Sequence, residues 1–436
     1  MQIPINLFSF NKNINFGQNC FYIGTFFLAS ALPISGIFYL IALIISILNS
    51  SFSIFRNKWN LSLLIIGSLF FISSYYFYFN NQDELLSTFD KSGSLFNLFN
   101  WIPLFLIFLY FKVYLKSIKQ REIFSKFLIS GTIPVLISCM LQKWFKVYGP
   151  IKTLGGLVTW FNKPLNSDMG VSGLFSNANY TGFWLSIIFP LLIYLIFKSN
   201  RNLLDRKKFI LVLILFINLY FIILTYSRNA LLGLLTSITF IFGIKSFFIL
   251  LFILLIIFTL INLITVFTPF LNFNLIDLTF NNNLAKKIYF NSFNWSQNIR
   301  LKLWKDSLKL ILKKPIFGYG ATTFPIIYYA FSPLVMKVQH SHNMILQISY
   351  DYGIPSAIAI TIFITFLFYK TFITIDKYNT NEKEKFSNKC WLSCFLIAII
   401  HHLSDITYFD GKISILIWIF ITGSNCIIEY TKKVQK

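Results

Sequence analysis

Long runs of apolar residues, separated by short polar segments, make up most of this chain. Runs of about 17–25 apolar residues are typical of helices that cross a bilayer, so the pattern predicts about twelve spans. The first two spans form a hairpin that is broken at Leu32-Pro33. The spans are predicted near residues 20–32, 34–49, 60–79, 101–116, 127–142, 179–197, 209–226, 229–244, 246–267, 343–370, 390–407 and 413–429. The expected fold is an all-α polytopic membrane protein that forms one domain over residues 1–436.

Basic residues recur in the connections on one side of these spans. Their clusters lie at residues 56–58, 112–126, 198–208, 245, 370–389 and 432–436. Short loops rich in Lys and Arg remain in the cytoplasm, which predicts that both termini are cytoplasmic. The outward face then carries residues 80–100, 143–178, the turn at 227–228, the long segment 268–342 and the turn at 408–412.

The segment 268–342 is the one sizeable region outside the predicted spans, and it is expected to be a periplasmic loop. Within it, four apolar residues recur at helical spacing: Leu301, Trp304, Leu308 and Ile311. An amphipathic helix is therefore predicted from Arg300 to Lys314, ended by Pro315. Its basic surface and its Trp suit a position in the plane of the lipid headgroups. The alternative is a helix that only caps the bundle.

Composition narrows the classes of function. Hydrophobic residues make up 56% of the chain and charged residues 12%, too few charges for a soluble protein of this length. The net charge of +23 comes with no basic tail and no RNA-binding pattern. The predicted partner is therefore anionic membrane lipid, and nucleic acid is not expected. The five cysteines lie in or beside apolar runs, without His or acidic residues at ligand spacing, so no metal site is predicted.

Histidine and arginine supply the sharpest candidates for chemistry. His340 and His342 lie in a His-Ser-His-Asn sequence where the long segment re-enters an apolar run. A side chain that exchanges protons near neutral pH at a membrane mouth is a candidate for catalysis; the alternative is a solvated loop histidine. Of six arginines, only Arg228 and Arg300 fall on the predicted outward face. A guanidinium group binds phosphate oxygens through two donors, whereas the alternative for Arg228 is a side chain that extends to the membrane interface.

Polar side chains near two other span ends extend the candidate site. Asn177 and Asn179 precede the sixth span, where they either hydrogen-bond a sugar or start the helix. His402 and Asp405 lie near the outer end of a late span, and their spacing predicts that they share a helix face. Such a histidine–carboxylate pair either relays protons or satisfies a buried polar site.

These motifs resemble those of the O-antigen ligase and O-antigen polymerase superfamily of bacterial membrane glycosyltransferases. The resemblance covers residues 170–356. It rests on Gly173–Asn179, on the turn that contains Arg228 and Leu232, on Arg300–Trp304 with the later Pro315–Gly320, and on His340–Asn343 followed by Gly353. Ser356 departs mildly from the residues usual in ligases at that position. The late His-His-x-x-Asp sequence also resembles a cyanobacterial branch linked to bicarbonate uptake.

The resemblance implies an enzyme of the bacterial inner membrane whose active site faces the periplasm. It would transfer a glycan from an undecaprenyl-diphosphate-linked donor to a hydroxyl of the lipid A core or of a growing glycan. His342 would be the general base, and Arg228 and Arg300 would bind the diphosphate, without a metal or another cofactor. The other candidates would bind substrate: Asn177, Asn179, His340, Asn343, His402 and Asp405.

Alternatives stay open at the level of sequence. The motifs do not separate a ligase from a polymerase that joins repeat units. A transporter for a small anion such as bicarbonate would place charges or broken helices near mid-membrane, whereas the candidate charges here lie at the outer mouth. A non-catalytic membrane partner is a further alternative. The base is either His342 or His340, but only His342 has the ligase spacing to Gly353.

Overall fold

The computed structural model of this chain describes residues 10–50, 57–80, 84–86, 90–165, 169–199, 205–249, 252, 256, 299–332, 338–378 and 381–434. Most of the predicted ninth span (246–267) and the first part of the predicted outer loop (268–298) lie outside the described residues. The described part is helical, apart from one small sheet and the connecting segments.

The described helices are numbered in chain order. They are α1 (Phe10–Phe27), α2 (Leu32–Leu48), α3 (Lys58–Asn80), α4 (Ser92–Phe96), α5 (Ile102–Tyr110), α6 (Lys112–Leu115), α7 (Ile118–Trp144), α8 (Ala178–Lys198), α9 (Arg206–Leu224), α10 (Arg228–Phe242), α11 (Ile299–Lys313), α12 (Phe324–Phe331), α13 (Met344–Tyr352), α14 (Ile354–Tyr378), α15 (Glu382–His402) and α16 (Gly411–Val434). Between α7 and α8, strands β1 (Ile151–Thr153) and β2 (Val158–Trp160) pair antiparallel, with Thr153 opposite Val158.

Seven helical stretches of the described residues are long and apolar enough to cross a membrane: α3, Ser92–Tyr110, α7, α8, α9, α14 and Gly411–Thr431. The apolar helices α2 and α10 are shorter. Along α9, large apolar side chains are exposed on one helical stripe that contains Phe209, Leu213, Phe216 and Tyr220. Such a stripe is stable against lipid and unfavourable in water. The chain is a multi-pass membrane protein, and the total of twelve spans stays a prediction.

The helices α8 and α16 form the centre of the bundle. Since α8 is apolar on all sides, it suits a fully buried position, and every residue from Thr181 to Ile196 is buried. The helix α15 packs against α8 and α10, and α16 packs against α5 and α14. The first turns of α8 and α10 contact the segment that follows α15. Several helix termini therefore meet at one end of the bundle.

Two predicted spans are interrupted in the structure. The span predicted at 343–370 consists of α13 and α14, which are separated by Gly353. Gly353 has a φ of 86°, and a Cβ at this position would collide with the carbonyl of Ile316. Only glycine therefore fits this turn. The span predicted at 101–116 is also divided, because Phe111 separates α5 from α6.

The predicted amphipathic helix is present as α11, with a different buried face. Its buried apolar residues are Leu303, Leu310 and Ile311, whereas Leu308, which the prediction placed on the apolar face, is 49% exposed. The packing partners decide this difference, because α11 lies against α13 and shares an apolar cluster with α12 and the end of α3. The helices α11, α12 and α13 thus form one packed unit beside the bundle.

Polar contacts hold the opposite end of the bundle together. Lys112 Nζ donates to Asn60 Oδ1 at 2.8 Å and lies 3.3 Å from Glu429 of α16. The buried Arg121, near the start of α7, donates to Asn388 Oδ1 of α15 at 2.9 Å. Lys112 and Arg121 lie in a basic cluster that the sequence analysis predicted to be on the cytoplasmic face. The candidate site residues lie at the other end.

Candidate active site

The helices α8, α10, α13 and α16 all begin around the segment 403–410, which connects α15 to α16. Ser404 Oγ donates to Asn229 Oδ1, in the first turn of α10, at 2.8 Å. Asn343, the N-cap of α13, donates from Nδ2 to the carbonyl of Leu403 at 2.8 Å. The first turn of α8 reaches the same segment, and α16 follows it directly. The positive ends of these helices therefore surround the segment and favour a negative ligand.

Asp405 is the centre of the contacts in this segment, and its side chain is only 5% exposed. Its Oδ1 accepts from the backbone N–H of Ile406 at 2.9 Å and lies 2.9 Å from Nδ1 of His342. Its Oδ2 accepts from Nδ2 of Asn179 at 2.8 Å and lies 3.7 Å from the guanidinium of Arg300. One buried carboxylate thus joins α8, α11 and the loop before α13.

The carboxyl group of Asp405 is ionised in this environment. Burial by itself raises its pKa, but the hydrogen bond from His342 and the charges of His342 and Arg300 outweigh burial and hold the pKa below its usual range. An ionised carboxylate only accepts hydrogen bonds, so Nδ1 of His342 carries the shared proton. When the ring carries only this proton, Nε2 has the free lone pair of a base.

His342 presents this nitrogen to the surroundings. Its side chain is 30% exposed, and among the described residues no group hydrogen-bonds Nε2. The backbone has a φ of 54°, which is rare and strained for a residue with a Cβ. Neighbours hold it there, because Ser341 N–H donates to Gln347 Oε1 at 2.8 Å and Ser341 Oγ donates to the carbonyl of Asn343 at 2.9 Å. The ring therefore has a fixed direction.

His340 lies beside His342 and supports it. The two ring centroids are 4.4 Å apart, and His340 Nδ1 accepts from the backbone N–H of His342 at 3.4 Å. Burial, followed by the charge of His342, lowers the pKa of His340 to about 4. The His340 ring is therefore neutral near neutral pH.

The two arginines that the motifs selected belong to different helices that begin near the site. Arg300 lies in the first turn of α11, and its side chain is 31% exposed where it approaches Asp405. Arg228 is the first residue of α10 and is exposed. Its neighbour Asn229 accepts the hydrogen bond from Ser404, which brings the turn of Arg228 beside Asp405. Arg300 therefore contacts the segment directly, and the turn that carries Arg228 lies beside it.

Two of the predicted substrate-binding asparagines cap helices. Asn177 is the N-cap of α8, and its Oδ1 accepts from the backbone N–H of Asn179 at 2.9 Å. Asn343 caps α13 by accepting from the backbone N–H of Leu346 at 3.1 Å. Asn179 differs from them, because its side chain is bonded to Asp405. Helix capping therefore explains the side-chain contacts of Asn177 and Asn343, which were candidate sugar-binding residues on the basis of the sequence.

The prediction that His402 and Asp405 share a helix face was wrong. The helix α15 ends at His402, and the chain turns at Leu403 before it reaches Asp405. His402 is buried, with Nδ1 at 2.7 Å from the carbonyl of Ala398 and Nε2 at 3.4 Å from Oγ1 of Thr407. Both ring nitrogens are therefore occupied within the protein.

Three polar residues that hold the site were missed by the sequence reasoning. Asn229 and Ser404 bond α10 to the segment after α15, and Gln347 bonds the loop that carries His342. Nothing in their own type or spacing marks them. The one available signal was proximity, since each lies within four residues of a position that was selected.

An apolar cleft, lined by α13, α14, α15 and α16, leads away from the site and encloses about 150 Å³. Met344 and Leu403 line it beside the loop that carries His342, and Thr361 and Ile364 line it on α14. Its walls thus continue from the site along a helix that is long and apolar enough to cross a membrane. Such a wall favours an apolar ligand over a polar one.

Over the part of the chain that the structure describes, no group of three or more His, Cys, Asp and Glu side chains lies close enough together to hold a metal ion. The five cysteines are free and buried. The described polar groups of the site instead bond one another through Asp405.

Residues 210–361 match the family model described as O-antigen ligase. The match covers about a third of the chain and includes Arg228, Arg300 and His342, whereas Asn179 and Asp405 lie outside it. It confirms the resemblance to the O-antigen ligase and polymerase superfamily that the motifs predicted, and it supports O-antigen ligase-like glycosyl transfer in general. A comparison with curated proteins gave no match.

Proposed function

We propose that this protein transfers a glycan from an undecaprenyl-diphosphate-linked donor to an acceptor hydroxyl at the periplasmic face of the bacterial inner membrane. The acceptor is the lipid A core in a ligase and a growing glycan in the polymerase alternative. The observation that carries the proposal is the 2.9 Å contact between His342 Nδ1 and Asp405 Oδ1. It leaves Nε2 of His342 with a free lone pair at an accessible position.

His342 acts as the general base in this reaction. Nε2 takes the proton of the acceptor hydroxyl while the hydroxyl oxygen attacks the anomeric carbon of the donor sugar. The bond between that carbon and the diphosphate oxygen breaks, and the lipid diphosphate leaves with the bonding electrons. Asp405 stabilises the imidazolium that forms. A positioned base of this kind contributes on the order of 10²–10⁴ in rate.

The departing lipid diphosphate gains negative charge as the bond breaks. Arg228 and Arg300 border the segment around Asp405, and the first turns of α8, α10, α13 and α16 add partial positive charge. Guanidinium groups bind phosphate oxygens through two donors, and these interactions strengthen as charge develops. A diphosphate is already a stable anion, so its departure needs no strong general acid.

The apolar cleft supports a lipid-linked donor. It begins beside Met344 and Leu403, next to the catalytic loop, and continues along α14. A prenyl chain in this cleft keeps its apolar surface out of water while its diphosphate reaches the arginines. A small soluble anion, as in the transporter alternative, gains no binding energy from such a wall.

The distribution of basic residues supports a periplasmic site, since excess Lys and Arg in short connections favours the cytoplasm. Single cysteines test this orientation, because the five native cysteines are buried. Lys152, exposed on β1, lies at the end of the bundle that carries the site, and Lys383, exposed at the start of α15, lies at the other end. An impermeant thiol reagent on spheroplasts should label Lys152→Cys and spare Lys383→Cys. The reverse pattern would invert the orientation and separate the site from its substrate.

The envelope glycan of a deletion strain tests the proposed function itself. Loss of a ligase leaves polymer on its lipid carrier, and loss of a polymerase leaves single repeat units on the core. Wild-type protein should restore the normal glycan, whereas His342→Ala, inserted at the same level, should not. An unchanged glycan together with poor growth at low inorganic carbon would reject both enzymatic functions in favour of transport.

A further inference from the structure

Asp351, near the end of α13, is a buried acidic residue that the proposed mechanism does not use. Its side chain shares a helix face with that of Gln347, one turn earlier. Gln347 is 4% exposed and Asp351 is 3% exposed, and Ser341, the residue before His342, is fully buried. These three polar residues are joined to one another by hydrogen bonds behind the loop that carries His342.

The amide of Gln347 connects the other two residues. The backbone N–H of Ser341 donates to Oε1 of Gln347 at 2.8 Å, and Nε2 of Gln347 donates to Oδ1 of Asp351 at 3.0 Å. An amide has an acceptor oxygen at one side and a donor nitrogen at the other. The N–H of Ser341 requires the oxygen, and Oδ1 of Asp351 requires the nitrogen. Both neighbours therefore fix the amide in the same orientation.

The backbone at Asp351 is held by the segment that follows α11. The carbonyls of Tyr350 and Asp351 accept from the N–H groups of Tyr319 and Gly320 at 2.7 and 3.2 Å. Among the described residues, the one hydrogen bond of the Asp351 side chain is that with Gln347, and no cation lies within ion-pair distance of it. Asp351 is thus a fixed acceptor for the amide of Gln347 and forms no ion pair in the described part of the chain.

The position of His342 depends on the acceptor that Gln347 provides. The backbone of His342 has a φ of 54°, and such a conformation persists only where neighbours hold it. Within the described residues, Gln347 is the one acceptor for the N–H of Ser341. If the amide turned over, its NH₂ group would face this N–H, and a buried donor would be left without a partner. The loop would then relax and move the ring of His342 away from Asp405.

We propose that Asp351 is a positioning residue that acts through Gln347 to hold His342 against Asp405. The inference rests on the proposed function, in which His342 is the base. Because Asp351 and Gln347 are buried, they are not expected to touch the donor or the acceptor. Their loss should therefore lower kcat and leave the KM values of both substrates nearly unchanged.

Kinetics of the purified full-length protein test the inference. Gln347→Met, which keeps the length of the side chain and removes its polar groups, should lower kcat about tenfold, and Asp351→Leu should do the same. Asp351→Asn should retain most of the activity, because its amide oxygen still accepts from Gln347. The matched control is Ser349→Ala, which removes a buried hydroxyl that donates to the carbonyl of Ile345 within α13. It should behave as wild type.

The double variant tests whether the two residues act as a unit. Asp351→Leu should cost nothing further in Gln347→Met, since the amide that Asp351 holds is then absent. Losses of kcat that multiply would indicate two separate structural effects and would overturn the inference. A wild-type kcat for Gln347→Met would also overturn it, as would a loss in Asp351→Asn as large as that in Gln347→Met. These last two outcomes do not depend on the folding of Asp351→Leu.

Hydrogen–deuterium exchange at the N–H of Ser341 separates the inference from the proposed function. This N–H should exchange faster in Gln347→Met and in Asp351→Leu than in the wild type, and at the wild-type rate in Asp351→Asn. If exchange follows this pattern and the wild type transfers no glycan, the proposed function fails and the positioning stands. If the wild type transfers glycan and the N–H exchanges equally in all variants, the positioning alone fails.

Discussion

Exchange of Asp405 for asparagine tests the hydrogen bond on which the proposed mechanism depends. The neighbours of the carboxylate are all donors, with His342 and the N–H of Ile406 at Oδ1, and Asn179 and Arg300 at Oδ2. An amide keeps one acceptor oxygen and brings an NH₂ donor, so one pair of neighbours meets a donor whichever way the amide turns. When the NH₂ faces His342, Nδ1 must accept. The ring proton then moves to Nε2, and no base is left for the acceptor hydroxyl.

The size of the loss follows from this change of tautomer. Replacing the orienting carboxylate of a catalytic triad by an amide lowers kcat by about 10⁴. Loss of a positioned base costs on the order of 10²–10⁴. Because the alternative orientation of the amide retains the productive tautomer in part of the population, we expect Asp405→Asn to lower kcat by about 10²–10⁴. Donor binding should be retained.

Steady-state transfer by purified protein at saturating donor and acceptor measures kcat, and retention of labelled donor measures binding. The matched control is Asp306→Asn, which removes a buried acidic group of α11 whose carboxylate lies 3.7 Å from Lys309. This control should transfer glycan as wild type does. A wild-type kcat for a stably folded Asp405→Asn would show that the carboxylate does not set the tautomer of His342 and would refute the reasoning.

Other variants probe the cations, the second histidine and the break between α13 and α14. Arg300→Lys should lower kcat about thirtyfold, because Lys keeps the charge and loses the two-donor geometry. This loss corresponds to an activation free energy that is higher by about 2 kcal/mol. Arg228→Lys should act in the same direction, and wild-type rates for both would leave the diphosphate without its proposed ligands. His340→Ala should transfer faster than His342→Ala. The rate of transfer rises with pH as the catalytic base loses its proton. If the pH–rate profile of the wild type rises near pH 4, the pKa of His340, and that rise is lost in His340→Ala, His340 rather than His342 is the base. Gly353→Ala should lower the apparent melting temperature in detergent, at a cost of roughly 1–3 kcal/mol, because it forces a Cβ into a positive-φ turn against a neighbouring carbonyl; an unchanged temperature would contradict that strain.

The apolar runs predicted most helices of the described part because both buried and lipid-facing helices need apolar residues. The span predicted at 179–197 agrees with α8 within a residue at each end. The break at Gly353 was harder to predict, since glycine is compatible with a kinked helix as well as with a turn. What decides it is the approach of the Ile316 carbonyl, which is distant in sequence. Tertiary contacts also determine which face of α11 is buried, and this face differs from the one that the spacing of its apolar residues predicted.

The motifs selected His342 and Arg300, and the structure brings both to one carboxylate. The link through Asp405 was not predictable, because Asp405 and His342 are 63 positions apart in the chain. Local spacing instead paired Asp405 with His402, and that pairing assumed a helix that continues past Leu403. Spacing along the chain is informative within one element. It carries no information on which loop meets which helix end.

The central claim is that His342 removes the proton of the acceptor hydroxyl. Its most direct test is single-turnover transfer from purified undecaprenyl-diphosphate-linked glycan by the wild type and by His342→Ala, in the presence of EDTA. We predict that His342→Ala loses transfer by about 10²–10⁴ and binds the donor as the wild type does, because a base acts on the acceptor. We also predict that EDTA leaves the wild type active. Transfer by His342→Ala at the wild-type rate, or loss of wild-type transfer in EDTA, would contradict a metal-independent reaction with His342 as its base.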